Sequence, residues 1–152
     1  MSRKPSNTVV LTVPCAPEYV AVARLAMLGI ASRKGFSYES VEDIRLAVAE
    51  VCSNAISRNE SAGSDTDSLL TISAWDDGPS LCIEIEDNLG DLPAPDETAV
   101  TDSESVDEAE LGELLIELLM DEVDTEPTPQ GTRVRLVKFK DSHSPGMPNG
   151  SE

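Results

Sequence analysis

Glu50 and Asn54 lie four residues apart in VEDIRLAVAEVCSNAI, residues 41–56. A carboxylate can orient water or accept a proton from a hydroxyl group, and an amide oxygen can bind Mg²⁺. Their neighbours Ala47 and Ser53 are small, so a second molecule could approach this face closely. Polar residues at this spacing are also common on solvated helix faces. The pair therefore leaves two interpretations open, a chemical site and an ordinary solvent-facing stripe.

The segment that carries this pair has the periodicity of a helix packed on a core. Its apolar positions are three and four residues apart, which is typical of one buried helix face: Val41, Ile44, Val48, Val51 and Ala55. We predict that Ser37 caps this helix and that the helix continues to about Arg58. Asp43, Glu50 and Asn54 then share a stripe about 120° from the buried face.

The rest of the chain alternates between strand and helix patterns. Residues 69–75 and 80–86 read as two strands joined by the turn DDGP, because this turn composition favours a hairpin. The other predicted elements are strands at 8–13 and 132–139 and helices at 17–35 and 110–123. Pro17 suits the first turn of its helix, and Gly35 suits the end. This order predicts a two-layer α/β sandwich, a mainly antiparallel sheet with helices on one face.

Length and charge limit the domain organisation and the kind of partner. The 152 residues suit one domain, which we place at 8–140, between disordered ends at 1–7 and 141–152. Residues 88–110 are predicted to form an acidic loop. The net charge is −18, and no Lys or Arg occurs between Asn59 and Thr132. Such a field argues against nucleic-acid binding; it suits a basic protein partner or serves solubility.

Cysteine, histidine and hydropathy exclude several other classes. The three cysteines are widely spaced, which favours reduced, buried thiols over a disulfide framework or a zinc site. The only histidine, His143, lies in the C-terminal tail, which argues against a Ser/His/Asp triad and a histidine metal site. No signal peptide and no apolar run of about 20 residues is present. We therefore expect a cytoplasmic protein that does not bind membranes.

The helix DIRLAVAEVCSNAI resembles the N-box of the GHKL (Bergerat-fold) ATPases. It is most similar to that of the RsbW-like anti-sigma-factor serine kinases of bacterial stress and sporulation pathways. The similarity continues through 17–56, which follows the N-terminal half of that family. LGELLIELLMDEV and GTRVRLVKF resemble its C-terminal half. In all, the resemblance covers residues 8–140.

The resemblance implies a role for each matching residue. Glu50 would be the general base toward a serine hydroxyl of a partner, and Asn54 would hold the Mg²⁺ that bridges the phosphates of ATP. Asp87 would bind the adenine amino group, with support from Thr132. The remaining implied positions are Gly90 and Gly112 for the nucleotide, and Arg24 and Glu18 for the partner surface. The implied partners are a sigma factor and a STAS-type anti-anti-sigma factor, with the protein itself a homodimer.

Two departures from the family pattern concern the nucleotide. The family's Asp-x-Gly is replaced by Asp87-Asn88-Leu89-Gly90, with the glycine one position late. The family's phosphate-binding Gly-Gly-x-Gly run corresponds to residues 109–112, Ala-Glu-Leu-Gly. From Asp87 to Glu110, both included, there are nine acids and no base, so Glu110 beside a phosphate would oppose ATP binding.

The residues that match Mg²⁺ and the general base are present, whereas the phosphate-binding glycines are largely replaced. This combination leaves two interpretations open. The protein could bind ATP weakly and act as a poor kinase, or it could act without nucleotide by sequestering its partners. We predict an anti-sigma factor that occludes its sigma factor and is released by the STAS protein. The alternative is an active serine kinase that phosphorylates this antagonist. A phosphoserine adds about −1.5 to −2 of charge, and this acidic surface would repel it.

Overall fold

The computed structural model describes residues 5–63, 67–90 and 103–140, with the backbone alone for 103–110. The elements in chain order are β1 (Val9–Pro14), a 3₁₀ turn (Pro17–Tyr19), α1 (Val20–Lys34), α2 (Tyr38–Ser61), β2 (Leu69–Asp76), β3 (Ser80–Asp87), α3 (Ser103–Leu119), β4 (Glu122–Pro127) and β5 (Thr132–Phe139). The predicted strands at 8–13, 69–75, 80–86 and 132–139 are confirmed to within two residues. Residues 1–4 and 141–152 of the predicted tails, with His143, and residues 91–102 of the predicted acidic loop lie outside the described residues.

The strands form one antiparallel sheet in the order β1-β2-β3-β5-β4. Its apolar face carries Ile72, Ile83 and Leu136, which share one core with Met27 of α1, Ile44 of α2 and residues of α3. Alternation along the strands sends the other side chains to the opposite face. The predicted two-layer α/β sandwich is confirmed.

Strand β4 is absent from the sequence-based prediction, which continued the last helix to Val123. The helix instead ends at Leu119, and Glu122–Pro127 pairs with β5. Val123 lies opposite the buried Leu136, while the acidic residues of β4 alternate with it. Glu126 on that strand forms an ion pair with Arg133 of β5 at 2.6 Å. Pairing with β5, which follows after the four-residue connection 128–131, overrides the continuation of the helix into Glu122 and Val123.

The caps of α1 and α2 follow the sequence closely. Gly35 ends α1 with a φ of 95°, a left-handed conformation that glycine adopts without strain. The Ser37 hydroxyl oxygen accepts a hydrogen bond from the Ser40 amide at 3.1 Å and so caps α2. All five apolar positions predicted for the packed face of α2 are buried. Ala47, expected beside the exposed polar stripe, is fully buried too, because α1 and α3 both pack against α2.

Helix α3 begins seven residues earlier than predicted. The sequence placed its start at Glu110, at the end of the acidic loop, whereas the helix runs from Ser103. Residues 109–112, which correspond to the family's phosphate-binding run, consequently lie in the interior of a helix.

Candidate functional site

Helix α2 aligns three polar side chains at successive turns. Glu50, Asn54 and Arg58 are four residues apart, so they form a row about 12 Å long at 1.5 Å per residue. Glu50 and Asn54 are half-buried, as is Arg58. The structure thus brings together the two residues predicted from the sequence and adds a cation at the end of the row.

Helix α3 lies directly against the Glu50 end of this row. A Cβ built on Gly112 would be 2.6 Å from Glu50 Oε2 and 3.9 Å from Asn54 Oδ1. Glycine therefore has a packing reason at this position, because a side chain would displace the carboxylate or push the helices apart. In the interior of a helix, an amide N–H donates to the carbonyl four residues earlier. The free amides of α3 are instead those of its first turn, at 103–106.

Asp87 lies at the other end of the row, where β3 ends. Its Oδ1 accepts hydrogen bonds from the amides of Leu89 at 3.0 Å and Thr132 at 3.3 Å. Its Oδ2 accepts one from Arg58 NH2 at 3.1 Å, and only 4% of the Asp87 side chain is exposed. A Cβ on Gly131 would overlap both the Asp87 carbonyl and its Oδ1. Among the described residues, three donors hold this carboxylate, which leaves one direction of Oδ2 for a further donor.

Gly90 connects this carboxylate to the turn before β5. It has a φ of 75°, and its amide donates to the Gln130 carbonyl at 2.9 Å. A left-handed residue is thus required at position 90, one place later than in the family pattern. Leu89, which takes the earlier place, is half-buried against the core. The structure therefore brings Asp87, Gly90 and Thr132 together.

Two members of this site were missed by sequence reasoning. Arg58 was taken only as the end of α2, and Gly131 only as a turn residue. Arg58 continues the four-residue spacing of Glu50 and Asn54 and is the last base before the base-free stretch. That spacing was the available signal. Nothing local marks Gly131, because its contact is with a residue of another strand.

Cys15 is buried, and the charges of Asp87 and Arg58 both act on its thiol. Burial raises the pKa of its thiol, and the negative charge of Asp87 raises it further, against a smaller lowering by Arg58. Its carbonyl accepts a hydrogen bond from the Asn59 amide nitrogen at 3.4 Å. A neutral, buried thiol packs and does not attack, so Cys15 supports the site and performs no chemistry there.

Arg24 and Glu18 lie on a different surface. Both side chains are exposed, Arg24 on α1 and Glu18 in the 3₁₀ turn before it. Neither forms an ion pair within the described ranges. Val22 and Leu25 beside them are also exposed, so the surface combines one cation with apolar side chains.

The carboxylate and amide oxygens of the row suit parts of an Mg-ATP molecule. Carboxylate and amide oxygens are ligands that Mg²⁺ prefers, and Glu50 and Asn54 supply both beside Gly112. Asp87 can accept from an amino group through the free direction of Oδ2. The phosphates fit less well, because the amides of 109–112 lie within a helix. In this conformation the residues are suited to bind Mg²⁺ and adenine but not the phosphates of ATP.

Within the described part of the chain, no helix combines the length and the apolar composition needed to cross a bilayer. The same residues contain no group of three or more His, Cys, Asp or Glu placed to share a metal ion.

Comparison with known proteins identifies the family. Residues 13–138 match the family of histidine kinase-like ATPase domains. The chain is 32% identical to the serine-protein kinase RsbW of Bacillus licheniformis, over 90% of this chain and 88% of that protein. It is 31% identical to the protein of that name from Bacillus subtilis, over 85% and 83%. For Listeria monocytogenes serotype 4a the identity is 35%, over 77% and 78%. The resemblance seen in the N-box helix is confirmed: the chain belongs to the histidine kinase-like ATPase family and, within it, to the RsbW family.

Proposed function

We propose that this protein is an anti-sigma factor that sequesters a bacterial sigma factor and is released by a STAS-type anti-anti-sigma protein. Family membership supports the pair of partners. One observation favours sequestration over kinase activity: α3 runs through residues 109–112, and Gly112 packs against Glu50. A helix there withdraws the amides that a triphosphate would need. Protein binding is therefore favoured over catalysis.

The surface of α1 is the proposed sigma-factor site. Arg24 and Glu18 are exposed and without ion pairs in the described ranges, and Val22 and Leu25 add apolar area. Arginine beside apolar side chains is typical of the energetic centre of an interface. We further propose that the protein acts in the cytoplasm as a homodimer. Its net charge of −18 argues against direct contact with nucleic acid.

A matched pair of variants tests this surface. Arg24→Ala should weaken binding of the sigma factor by about tenfold or more, as expected for loss of an interface arginine. Arg33→Ala removes another exposed arginine of α1 and should leave the affinity unchanged. Affinity is measured by calorimetry with the sigma factor recovered by pull-down. Equal effects of the two variants would reject the α1 surface, and recovery of neither sigma factor nor STAS protein would reject the proposed function.

The alternative is an active serine kinase, and one observation favours it. Glu50 and Asn54 lie side by side on α2, at one end of a row whose other end holds a fixed Asp87. In this alternative Glu50 accepts the proton of the antagonist's serine hydroxyl, and Asn54 holds Mg²⁺. Asp87 accepts from adenine with support from Thr132; Gly90 and Gly112 shape the nucleotide site. When bound, Mg-ATP would supply the phosphoryl group. The arrangement requires α3 to move, since Gly112 now lies against Glu50.

Titration with Mg-ATP separates the two candidates. Calorimetry is the suitable readout, because Trp75 lies in a separate cluster with Cys82 and Val137, apart from the main core. The kinase would be established by saturable micromolar binding of Mg-ATP together with phosphoryl transfer to the STAS protein, provided that the Glu50→Ala variant loses this transfer. Glu39→Ala, an exposed acid in the first turn of α2, is the control. Retained sigma binding by Glu50→Ala would show that inhibition needs no chemistry.

A further inference from the structure

Helix α3 has two apolar faces, of which the fold uses one. Ile116 and Gly112 are buried, Leu119 packs on the core, and together they fix the helix to α2 and the sheet. At 100° per residue, Leu111, Leu114 and Leu118 fall within about 60° of one another on another side. Their exposed fractions are 63%, 53% and 80%. A helix that only covers a core needs one apolar stripe, so the second stripe is available to bind another molecule.

The charge around the exposed leucines indicates what kind of molecule could bind there. Glu113 and Glu117, both exposed, lie beside the stripe, and α3 contains no Lys or Arg. The stretch between Asn59 and Thr132 contains no base at all. A partner that buries the three leucines must therefore bring cations to the rim, where complementary charge directs association.

Other occupants fit this surface poorly. A second copy would place the same two glutamates against Glu113 and Glu117, and like charges oppose such a contact. Residues 91–102, DLPAPDETAVTD, add four acids and no base. Residues 141–152, DSHSPGMPNGSE, contain one large aliphatic side chain, Met147, and two acids. Neither segment of the chain offers both apolar side chains and cations.

We propose that Leu111, Leu114 and Leu118, with Glu113 and Glu117, form a docking stripe on α3 for a basic amphipathic helix of a partner protein. The stripe spans about 10 Å along the helix, which corresponds to two turns of an opposing helix. It lies on an element different from the Arg24 surface, and its use requires no nucleotide. The inference therefore stands apart from the proposed sigma-factor site on α1.

The test uses a synthetic peptide of about 18 residues whose leucines follow the three- and four-residue spacing of a helix, with lysine elsewhere. Its control is a peptide of the same composition in scrambled order, which keeps the charge but has no apolar stripe. Binding is followed by fluorescence anisotropy at about 0.15 M salt, where unspecific charge attraction is screened. The patterned peptide should bind about tenfold tighter than the scrambled one, which corresponds to one well-buried contact.

Variants assign this preference to the stripe. Leu114→Ser with Leu118→Ser should reduce the ratio of the two affinities to about one, whereas the exposed control pair Tyr38→Ser with Leu46→Ser on α2 should leave it unchanged. Glu113→Lys with Glu117→Lys should weaken the patterned peptide about tenfold while circular dichroism shows intact helix content; this pair serves if the leucine variant unfolds. Equal affinity of the two peptides for the native protein would overturn the proposal. The proposal would also be overturned if the native protein is a dimer and only the Leu114→Ser with Leu118→Ser variant is a monomer, because the stripe would then bind a second copy of the chain.

Discussion

The ion pair between Arg58 and Asp87 is the contact whose removal best tests the described site. Arg58→Met keeps most of the side chain's length and apolar area but removes the guanidinium. Asp87 is then left with a carboxylate that is 4% exposed and has lost the cation that lay 3.1 Å away, although Leu89 and Thr132 still donate to Oδ1. At an effective dielectric near 20, the direct attraction at this distance is about 5 kcal/mol.

Only part of this attraction stabilises the fold, because burying both groups opposes it. Breaking a buried pair by removing one partner costs about 3–5 kcal/mol. The two amide donors that remain on Asp87 place the expectation at the lower end, about 3 kcal/mol. With a urea m-value of about 2 kcal/mol per M, the unfolding midpoint should fall by about 1.5 M.

The control is Arg45→Met on the same helix. Arg45 pairs with Glu42 at 2.7 Å three residues away, and both side chains are more exposed than those of Arg58 and Asp87. The buried Nε of Arg45 has no hydrogen-bond partner among the described residues. Its loss should cost less than about 1 kcal/mol. Both variants are compared with the native protein by urea denaturation followed by circular dichroism. If their midpoints fall equally, Arg58 does not hold Asp87 as described. Adding Asp87→Asn to Arg58→Met should recover part of the lost stability, because the unpaired charge is removed.

Three further outcomes follow from local contacts. Gly131→Ala should lower the free energy of unfolding by about 1–3 kcal/mol, because its Cβ overlaps backbone and side-chain atoms of Asp87; Gly29→Ala, with nothing within 4 Å, should stabilise α1 by up to about 1 kcal/mol, and a reversed order in thermal denaturation would refute the Asp87 contact. Ser37→Ala should cost about 1 kcal/mol in the same assay through loss of the α2 cap, with Ser57→Ala, exposed in the helix interior, as a near-neutral control; equal losses would argue against the cap. Burial raises the pKa of the Cys52 thiol to about 12, so at pH 8 iodoacetamide should label it only after unfolding in urea. Rapid labelling of Cys52 in the folded protein, detected by mass spectrometry, would contradict its burial.

Much of the fold and part of the site could be read from sequence, for reasons that differ between residues. The buried face of α2 was visible because five apolar residues follow one helical period, and that period fixes which side faces the core. Ser37 and Gly35 were recognised because caps depend on the few residues around them. Strand β4 was missed because the helical pattern that ends at Leu119 was continued into Glu122 and Val123, and because the alternation in EVDTEP is short and is held by pairing with β5.

By itself, the sequence determined the spacing of Glu50 and Asn54, the helix that carries them, the long base-free acidic stretch and the family. These features are local or compositional, so no knowledge of the fold is needed to see them. Only the tertiary structure decided that Arg58 binds Asp87, 29 residues away, that Gly131 makes room for this carboxylate, and that Gly112 brings α3 onto Glu50. Each of these contacts joins elements distant in the chain, and their closeness is set by how the sheet and helices pack rather than by any local preference.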